Sequence, residues 1–454
     1  MQRDHWGYHL STESADAATA QIKAYQSFSR WRTDMMLQLD NATAADPDFA
    51  LPYVMKGLII ASLRKPELMG KAQALFDKAS AARPPESARE KLYFKALNEN
   101  LAGRLCGTIN AFDEITMLCP HDLFAHRQAQ AELFWQGEVE WMRDINDRAA
   151  NVWTKDVPGF AHYQAIRAFG LEETGNYAEA ERCAREAVEL DPAECWGAHA
   201  MAHILVMQAR LDEGVDWIND LTGNWDGCNH IVHHNWWHLA LFHCERGDYQ
   251  AALDIYDNRL RDLNSPLMQA MPDYFVDLQN DVAILQRLEL RGVDAGSRWE
   301  PIADLAQAWT GNTTSGFTAA HAALALAAAG RFAAANELVE KMAARIAADE
   351  AGDIAGKLTL ATLPTCKAAI AFRRHDHQTV LDVLYPVRRQ LWHMGGSHAQ
   401  RDLFFQLLWT SAYQLGEIGK LGVIRAELET LGFEHMDERT SYREVITEHQ
   451  IGHA

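Results

Sequence analysis

Histidine is the residue best placed to do chemistry in this chain, because several copies recur at helical spacing. The chain has 20 histidines, and two pairs lie four residues apart: His199 with His203, and His234 with His238. This spacing puts both imidazoles of a pair on one face of a helix, one turn apart. Such a pair can hold a metal ion or transfer protons near neutral pH. These two pairs are therefore the first candidates for a catalytic or metal-binding site.

The four histidines allow three interpretations. No HExxH motif supplies a general base beside them, and no carboxylate stands at helical spacing between the members of a pair. A four-histidine centre for a divalent metal ion is one interpretation, and proton transfer by the pairs is a second. In the third, the rings pack in the protein core, as a single histidine on an apolar face usually does.

The helical segments that carry these residues recur along the chain. Gly175–Ala180, followed by Ala187 and Asp191–Pro192, resembles the turn and second helix of a tetratricopeptide repeat. The glycine permits a tight turn, and small residues let neighbouring helices approach. Similar turns, several of them 34 or 38 residues apart, occur at Gly103, Gly137, Gly175, Ala209, Gly247, Gly330, Arg374–His375 and Gly416. The sequence therefore predicts an all-α, tetratricopeptide-like helix-turn-helix superhelical solenoid.

Repeat regularity divides the predicted solenoid into three regions. Residues 1–100 are helical in pattern but only loosely repetitive, which is typical of an N-terminal capping region. Residues 101–265 hold the regular repeats, and residues 266–454 hold degenerate repeats that continue the same superhelix. A gap of 83 residues follows Gly247 and includes Pro266, so we expect an irregular helical pair there.

Register within the repeats predicts that the two histidine pairs meet. His199 and His203 fall at the fifth and ninth positions of their repeat, which face the concave groove in tetratricopeptide arrays. First helices of successive repeats lie side by side, so we expect His234 and His238 next to them. Trp237 also falls at a groove-facing position, where it could cover a small apolar ligand.

Three further places are candidates to bind a ligand. His321 falls at the same repeat position as His238. Gly395–Ser397 leads into a helix whose first amide groups, together with Arg401, suit an anionic group such as a carboxylate. The alternative there is an ordinary helix cap followed by a surface ion pair between Arg401 and Asp402.

Tyr256 and Asp257 are the last ligand-binding candidates. They lie on the second helix of the repeat that carries His234, where packing and capping are the commoner roles. Trp236 falls at a position that normally packs an aromatic side chain, so we expect it in the core.

Composition and missing motifs exclude several function classes. Lys and Arg number 42 against 62 Asp and Glu, and the formal net charge of −20 disfavours nucleic acid and anionic membrane surfaces as partners. No apolar run of roughly 18 residues and no secretion signal is found. The seven cysteines lack a CxxC pair, which disfavours a thiolate zinc site and indicates a reducing, cytoplasmic location. Without GxxxxGKS/T, GxGxxG or GxSxG, nucleotide hydrolysis, dinucleotide binding and serine-hydrolase chemistry are disfavoured.

Several spaced blocks resemble the tetratricopeptide repeat protein 38 family over nearly the whole chain. The blocks Ala202–Ile204 and His234–His238 carry most of the resemblance. The others are Leu10–Thr12, Ala45–Pro47, Phe169–Thr174, Ile255–Asp257, Ala320–His321, Gly395–Ser397, Ala399–Asp402 and Gln406–Leu408. The resemblance implies an all-helical repeat protein and marks the two histidine pairs, His321 and Arg401–Asp402 as family features, but it brings no assigned chemistry. His230, His233 and His243 depart from the family pattern and are left out of the predicted site.

Two functions follow from these patterns, and the sequence does not decide whether the protein is an enzyme. In the first, a histidine-rich pocket binds a small ligand that carries a carboxylate, with acid–base or metal-assisted catalysis as its extension. In the second, the groove is a non-catalytic scaffold for a peptide or protein segment, as tetratricopeptide arrays commonly are. The oligomeric state is left open.

Overall fold

The computed structural model describes residues 2–451, and the regular structure in this range is almost entirely helical. Two short strands, β1 (Gln2–Arg3) and β2 (His9–Leu10), pair antiparallel at the N-terminus. The helices up to the middle of the chain are α1 (Ala15–Ser29), α2 (Met35–Ala45), α3 (Leu51–Ser62), α4 (Pro66–Ala81), α5 (Ala88–Leu101), α6 (Leu105–Leu118), α7 (Leu123–Gln136), α8 (Val139–Asp147), α9 (Phe160–Glu172), α10 (Tyr177–Leu190), α11 (Cys195–Met207), α12 (Leu211–Leu221), α13 (Ile231–Arg246) and α14 (Tyr249–Ile255).

The second half of the chain continues in the same way. Its helices are α15 (Pro266–Ala270), α16 (Phe275–Leu290), α17 (Trp299–Gln307), α18 (Gly316–Ala328), α19 (Phe332–Ala347), α20 (Ala355–Lys357), α21 (Leu363–Arg373), α22 (His377–Leu384), α23 (His398–Gln414), α24 (Ile418–Thr430) and α25 (Arg443–His449). None of the helices described combines the length and the apolar character needed to cross a bilayer.

Consecutive helices form hairpins through a turn residue with left-handed backbone. Between α9 and α10 this residue is Gly175, with φ 78°, and the following amide of Asn176 donates to the carbonyl of Leu171 at 2.9 Å. This is the usual way to satisfy the last carbonyls of a helix. The predicted turns are confirmed, since Gly103, Gly137, Ala209, Gly247, Gly330, His375 and Gly416 all have positive φ.

Irregular turns interrupt the hairpins after α14, and the first of them lies in the gap where the repeat pattern predicts an irregular helical pair. A π-helical turn, Tyr256–Leu260, ends the second helix of that pair, and a second one, Leu358–Thr362, joins α20 to α21. A 3₁₀ segment, Tyr385–Met394, extends α22. Because π and 3₁₀ turns change the number of residues per turn, they shift the repeat spacing.

Contacts divide the chain into two compact units. The first comprises residues 2–134, 138–200 and 224–231, and the second comprises 135–137, 201–223 and 232–451. The three regions predicted from the sequence, with boundaries after residues 100 and 265, rest on the regularity of the repeats. The contact units do not test these boundaries, which stay predictions. Met1 and residues 452–454, the outer ends of the predicted regions, lie outside the described residues.

Successive hairpins of the second unit stack through their first helices. Helix α16 packs on α18, α18 on α21, and α21 on α23. The alanine-rich helix α18 is buried along its length, because small side chains let its neighbours approach closely. This stacking of helical hairpins confirms an all-α, tetratricopeptide-like repeat fold.

A buried ion cluster ties the N-terminal strands to the helices of the first unit. Arg89, on α5, donates from Nη1 to Asp4, from Nε to Asp122 (2.6 Å) and from Nη2 to the hydroxyl of Tyr25 (2.7 Å). Tyr93 donates to the same carboxylate of Asp122 at 2.8 Å. The buried charges are therefore fully paired, which is the condition under which such a cluster is tolerated.

Candidate functional site

Two helical segments of the second unit bring three of the predicted histidines together. His203 lies on the part of α11 that belongs to this unit, and His234 and His238 lie one turn apart on α13. The ring centroids of His203 and His238 are 4.5 Å apart, those of His234 and His238 are 5.0 Å apart, and those of His203 and His234 are 6.4 Å apart. The predicted meeting of residues from two successive hairpins is therefore confirmed for these three, which we call the histidine trio.

The trio is buried and its nitrogen atoms are close together. The exposed fractions of His203, His234 and His238 are 0%, 6% and 0%. One ring nitrogen from each of the three lies within 4.8 Å of the others. His199, the fourth predicted member, lies one turn before His203 on the part of α11 that belongs to the first unit, where its ring stacks on Trp196 at 4.3 Å.

Burial keeps the trio neutral. It lowers the pKa of His203 and His238 well below the ordinary value, and the neighbouring histidines lower both further. Burial also lowers the pKa of His234 to about 4, although a hydrogen bond to Asn280 and the charge of Asp277 act in the opposite direction. All three rings are thus uncharged at neutral pH, the form in which imidazole binds metal ions.

The hydrogen bond of His234 determines which of its nitrogens carries the proton. Its Nδ1 lies 2.7 Å from Oδ1 of Asn280 on α16. Because an amide oxygen only accepts, Nδ1 is the protonated nitrogen and Nε2 keeps its lone pair. The preceding residue, His233, which was left out of the predicted site, makes a similar contact of 3.0 Å with Oδ2 of Asp277.

Trp237 lies against the trio, but not in an open groove as expected. It is 0% exposed, and its ring is nearly parallel to that of His234 at 5.1 Å. The expected core position of Trp236 is wrong as well, since this side chain is only half-buried and lies under the guanidinium of Arg259 at 4.9 Å. Both errors arise because α13 is buried on more than one face, so a single repeat position does not fix the environment of adjacent residues.

Arg287, on α16, is a buried cation beside this cluster that sequence reasoning missed. Its Nη1 and Nη2 donate to the carbonyls of Ala283 (3.2 Å) and Ala399 (2.9 Å), and Asp402 lies 3.9 Å away. Its Nε has no hydrogen-bond partner among residues 2–451. The positive charge lowers the pKa of His238 and also that of His321, so it acts on both rings.

His321 is buried on α18 with a defined tautomer. Its Nδ1 donates to the carbonyl of Phe317 at 2.8 Å, so the lone pair is on Nε2, which has no hydrogen-bond partner within the described range. Burial lowers its pKa to about 4. Phe404 packs against the ring at 5.2 Å. His321 therefore presents a single acceptor nitrogen in apolar surroundings.

The helix start at Gly395–Ser397 is capped by its own side chains. Ser397 and Gln400 form a reciprocal capping box at the first turn of α23. Arg401 donates to the carbonyl of Gly396 and to Nδ1 of His398 (3.2 Å). The helix cap of the alternative interpretation is present, but its surface ion pair is wrong, because Arg401 is only 4% exposed. The predicted ligand-binding role of Arg401 and Asp402 stays a prediction.

Asp402 belongs to a buried network instead of a surface pair. It is 1% exposed and accepts hydrogen bonds from Gln406 (2.8 Å) and Tyr442. Asp402 lies 3.9 Å from Arg287 and 4.0 Å from Arg439. It thus balances the charge of the arginine beside the trio.

The contacts given for Tyr256 and Asp257 lie at the π-helical turn that follows α14. Asp257 is exposed and pairs with Arg298 at 2.6 Å. Tyr256 is buried where the π-helical turn begins, and the charge of Asp281 raises its pKa in addition to burial. Their predicted ligand-binding role stays a prediction.

Comparison with known proteins adds little to this description. No family model matches the sequence. Among solved structures, the chain is similar to the tetratricopeptide-repeat domain of P58(IPK), with 13% identity over 65% of this chain and 82% of that one and a TM-score of 0.19. Values this low carry no argument about function. The tetratricopeptide-like fold therefore follows from the helical hairpins and turns of this chain.

Proposed function

We propose that this helical-repeat protein is a binding protein whose second unit holds a divalent transition-metal ion, such as Zn²⁺, through His203, His234 and His238. The observation that carries the proposal is the approach of three buried imidazole nitrogens to within 4.8 Å of one another. Nitrogen ligands of this type suit zinc, copper and nickel. Tetrahedral Zn²⁺ sites with three protein ligands leave one position for water or a ligand.

Protonation favours the same assignment. The lowered pKa values of the trio mean that no proton has to leave the rings when a metal ion binds at neutral pH. A catalytic acid or base works best when its pKa is near the working pH, so these values disfavour proton transfer by the trio itself. Metal binding is therefore the better of the two chemical interpretations.

The surroundings of His234 also suit a metal ligand. Histidines that bind metals usually donate from the other ring nitrogen to a carboxylate, carbonyl or amide, which fixes the ring and its tautomer. Asn280 accepts from Nδ1 of His234 at 2.7 Å and so leaves Nε2 to bind. His199 stays a predicted fourth ligand, since it precedes His203 by one helical turn.

The ligand that we propose for the metal is a small carboxylate. A dication held by three neutral rings adds two positive charges close to Arg287, and the nearby carboxylates of Asp402 and Glu245 already face the charges of Arg287 and Arg439. Burying unbalanced charge is costly, so an anion at the open metal position is favoured. Nε of Arg287 offers a donor to such an anion. The sequence predicts that Arg401 binds the carboxylate of the ligand. In this proposal Arg287 binds it instead, because Arg401 donates to its own helix start.

A peptide or protein segment is the second candidate partner, supported by the fold. Tetratricopeptide-like arrays commonly bind other proteins, so the helical hairpins support a binding role in general. We further propose that the chain belongs to the tetratricopeptide repeat protein 38 family and that it is located in the cytoplasm.

Metal content and titration test the proposal. Protein purified without chelators should carry about one equivalent of transition metal. After removal of the metal, titration with Co²⁺ should give the strong visible absorption of a four-coordinate nitrogen site. His203→Gln, His234→Gln and His238→Gln should each weaken binding by more than about hundredfold. His321→Gln is the matched control, because His321 is an equally buried neutral histidine outside the trio.

Two results would overturn the metal assignment. One is wild-type protein that takes up no Zn²⁺ or Co²⁺ from metal in large excess. The other is binding that all three trio variants retain at wild-type affinity, which would place the ion elsewhere. A peptide partner whose affinity is unchanged in these variants would favour the scaffold function.

A further inference from the structure

Two cysteines of the first unit lie side by side although they are far apart in sequence. Cys195 is the first residue of α11, and Cys228 lies in the segment that precedes α13. Their Sγ atoms are 3.5 Å apart, and both side chains are buried. A disulfide needs the sulfurs at about 2.05 Å, so a movement of roughly 1.5 Å would join them.

The segment around Cys228 is held by a backbone pairing with the α1–α2 connection. The amide of Asn229 donates to the carbonyl of Trp31 at 2.6 Å, and the amide of Thr33 donates to the carbonyl of Gly227 at 3.3 Å. Gly227 has φ 75°, and a Cβ atom there would collide with the guanidinium of Arg32. The glycine thus lets Arg32 lie directly against the chain beside Cys228.

The two cysteines differ in their distance from a cavity, although both are buried. Cys228 lines a cavity of about 490 Å³, together with cationic and acidic side chains that include Arg30, Arg32 and Asp34. Cys195 is 0% exposed. An oxidant that enters the cavity therefore meets Cys228 first.

The contacts of Cys228 favour its thiolate. The thiol of Cys195 donates a hydrogen bond to it, and this bond, with the charge of Arg32, lowers the pKa of Cys228 against the effect of burial. The pKa of Cys195 is raised, because its thiol donates the hydrogen bond to Cys228 and because it is more deeply buried. A cysteine with thiolate character and access to solvent is the type that reacts with oxidants.

We propose that Cys228 is an oxidation site for hydroperoxides and that Cys195 resolves it as a disulfide. The thiolate sulfur of Cys228 attacks the peroxide, an S–O bond forms, the O–O bond breaks, and the leaving oxygen takes a proton to become water or an alcohol. Cys195 then loses its proton and attacks the sulfur of Cys228. The S–S bond forms, the S–O bond breaks, and hydroxide takes a proton and leaves as water. The two sulfurs give up two electrons, and the peroxide accepts them.

Cys183 of the same unit shows how the hydrogen bond from Cys195 affects the pKa of Cys228. Its sulfur also lies near cations, 3.3 Å from Nη1 of Arg167 and 3.4 Å from Nη2 of Arg182. Burial nevertheless raises the pKa of Cys183 to about 11. Adjacent positive charge is therefore not sufficient, and the hydrogen bond from a second thiol distinguishes Cys228.

Peroxide treatment followed by peptide mapping tests the proposal. Fully reduced full-length protein is exposed to hydrogen peroxide, the remaining thiols are alkylated, and the peptides are identified by mass spectrometry. We expect one cross-linked peptide pair, Cys195 with Cys228, which a dithiol reductant reverses. In Cys195→Ser, a sulfenic acid should persist on Cys228 and be trapped by dimedone. In Cys228→Ser, Cys195 should stay reduced, with its oxidation slowed by at least about tenfold.

Two control variants and a measurement on the unmodified protein complete the test. Cys106→Ser and Cys183→Ser should form the disulfide at the wild-type rate, because these residues lie on other helices, α6 and α10. In the unmodified protein, the alkylation rate of Cys228 should reach its plateau at lower pH than that of Cys183, whose pKa burial raises to about 11. The proposal is overturned if Cys228 is alkylated as completely after peroxide as before, or if Cys106 is oxidised first. Trapping of sulfenic acid on another cysteine in Cys195→Ser would overturn it as well.

Discussion

Two buried polar clusters, one in each unit, use their polar groups in opposite ways. In the first unit, all three guanidinium nitrogens of Arg89 donate to partners, two of them to the carboxylates of Asp4 and Asp122. In the second unit, the histidine trio brings together neutral rings whose pKa values burial has lowered. The first cluster is complete without any added group. The second concentrates lone pairs in a small volume, which is what a metal ion requires.

The comparison separates buried polarity that supports the fold from buried polarity that can bind. A paired ion cluster is sensitive to the loss of any member, because a charge is left without its counterion. A cluster of neutral rings carries no such charge, so its members can be replaced at small cost to stability. The largest difference between the clusters should therefore be seen in unfolding, and the smaller ones in ligand affinity.

The largest effect is expected at Arg89. Arg89→Met leaves the buried carboxylates of Asp4 and Asp122 without a cation, and the free energy of unfolding should fall by about 3–5 kcal/mol. Denaturant unfolding followed by circular dichroism measures this loss. Arg104→Met is the control, since Arg104 pairs with Glu99 at the surface with 54% of its side chain exposed. That variant should lose no more than about 1 kcal/mol.

His238→Leu tests the other side of the comparison. Without metal, the free energy of unfolding should change by less than about 1.5 kcal/mol, because leucine has a similar volume to the neutral ring and no buried charge loses its counterion. With metal at a hundred times the wild-type dissociation constant, the wild type should gain about 2.7 kcal/mol and the variant no more than about 0.4 kcal/mol. Thermal and denaturant unfolding with and without Zn²⁺ measure both effects. A loss in the metal-free variant as large as that of Arg89→Met would make the trio a structural cluster.

Most of the hairpins could be predicted from the sequence because glycine marks their turns. Gly103, Gly137 and Gly175 have the positive φ that their positions require. The turn at Arg64 has the same backbone conformation, with φ 56°, but it lies in the loosely repetitive residues 1–100, where neither a glycine nor the repeat spacing marks it. The π-helical turns could not be predicted either, since no residue type marks the extra residue that such a turn contains. The helical character of residues 266–451 could therefore be predicted from the sequence, but the spacing of their turns could not.

The candidate site was predicted as far as helical spacing reaches. Four-residue spacing and repeat register placed His203 beside His234 and His238. Asn280 and Arg287 were missed because they lie on α16, in the region where the repeat pattern fails. That helix is buried on nearly every face, so its polar residues form no stripe that periodicity could detect.

The pH dependence of stability offers a finer test of neutral, buried histidines. The folded pKa values of His234 and His321 are about 4, against an ordinary value of 6.5. Between these limits the unfolded state binds a proton that the folded state does not, so stability should fall as the pH falls from 6.5 toward 4. Each ring should contribute a slope of about 1.4 kcal/mol per pH unit. Urea unfolding of metal-free protein across this range measures how the free energy of unfolding depends on pH. In His321→Gln this slope should be smaller by the contribution of one histidine. An unchanged slope would mean that His321 is already protonated or exposed.

The smallest effect is expected from the partner of His234. Asn280→Leu removes the acceptor at 2.7 Å from Nδ1, so the ring loses the contact that fixes its tautomer and orientation. Metal affinity should fall by about tenfold, the usual effect of removing such a partner, while the three ligands remain. Gln279→Leu is the matched control, because the side chain of Gln279 on the same helix donates to Thr318 at 2.7 Å instead. Competition with a chromophoric chelator measures both affinities. Equal affinities would mean that Asn280 only fills space beside the trio, and a comparable loss in both would point to a general disturbance of α16.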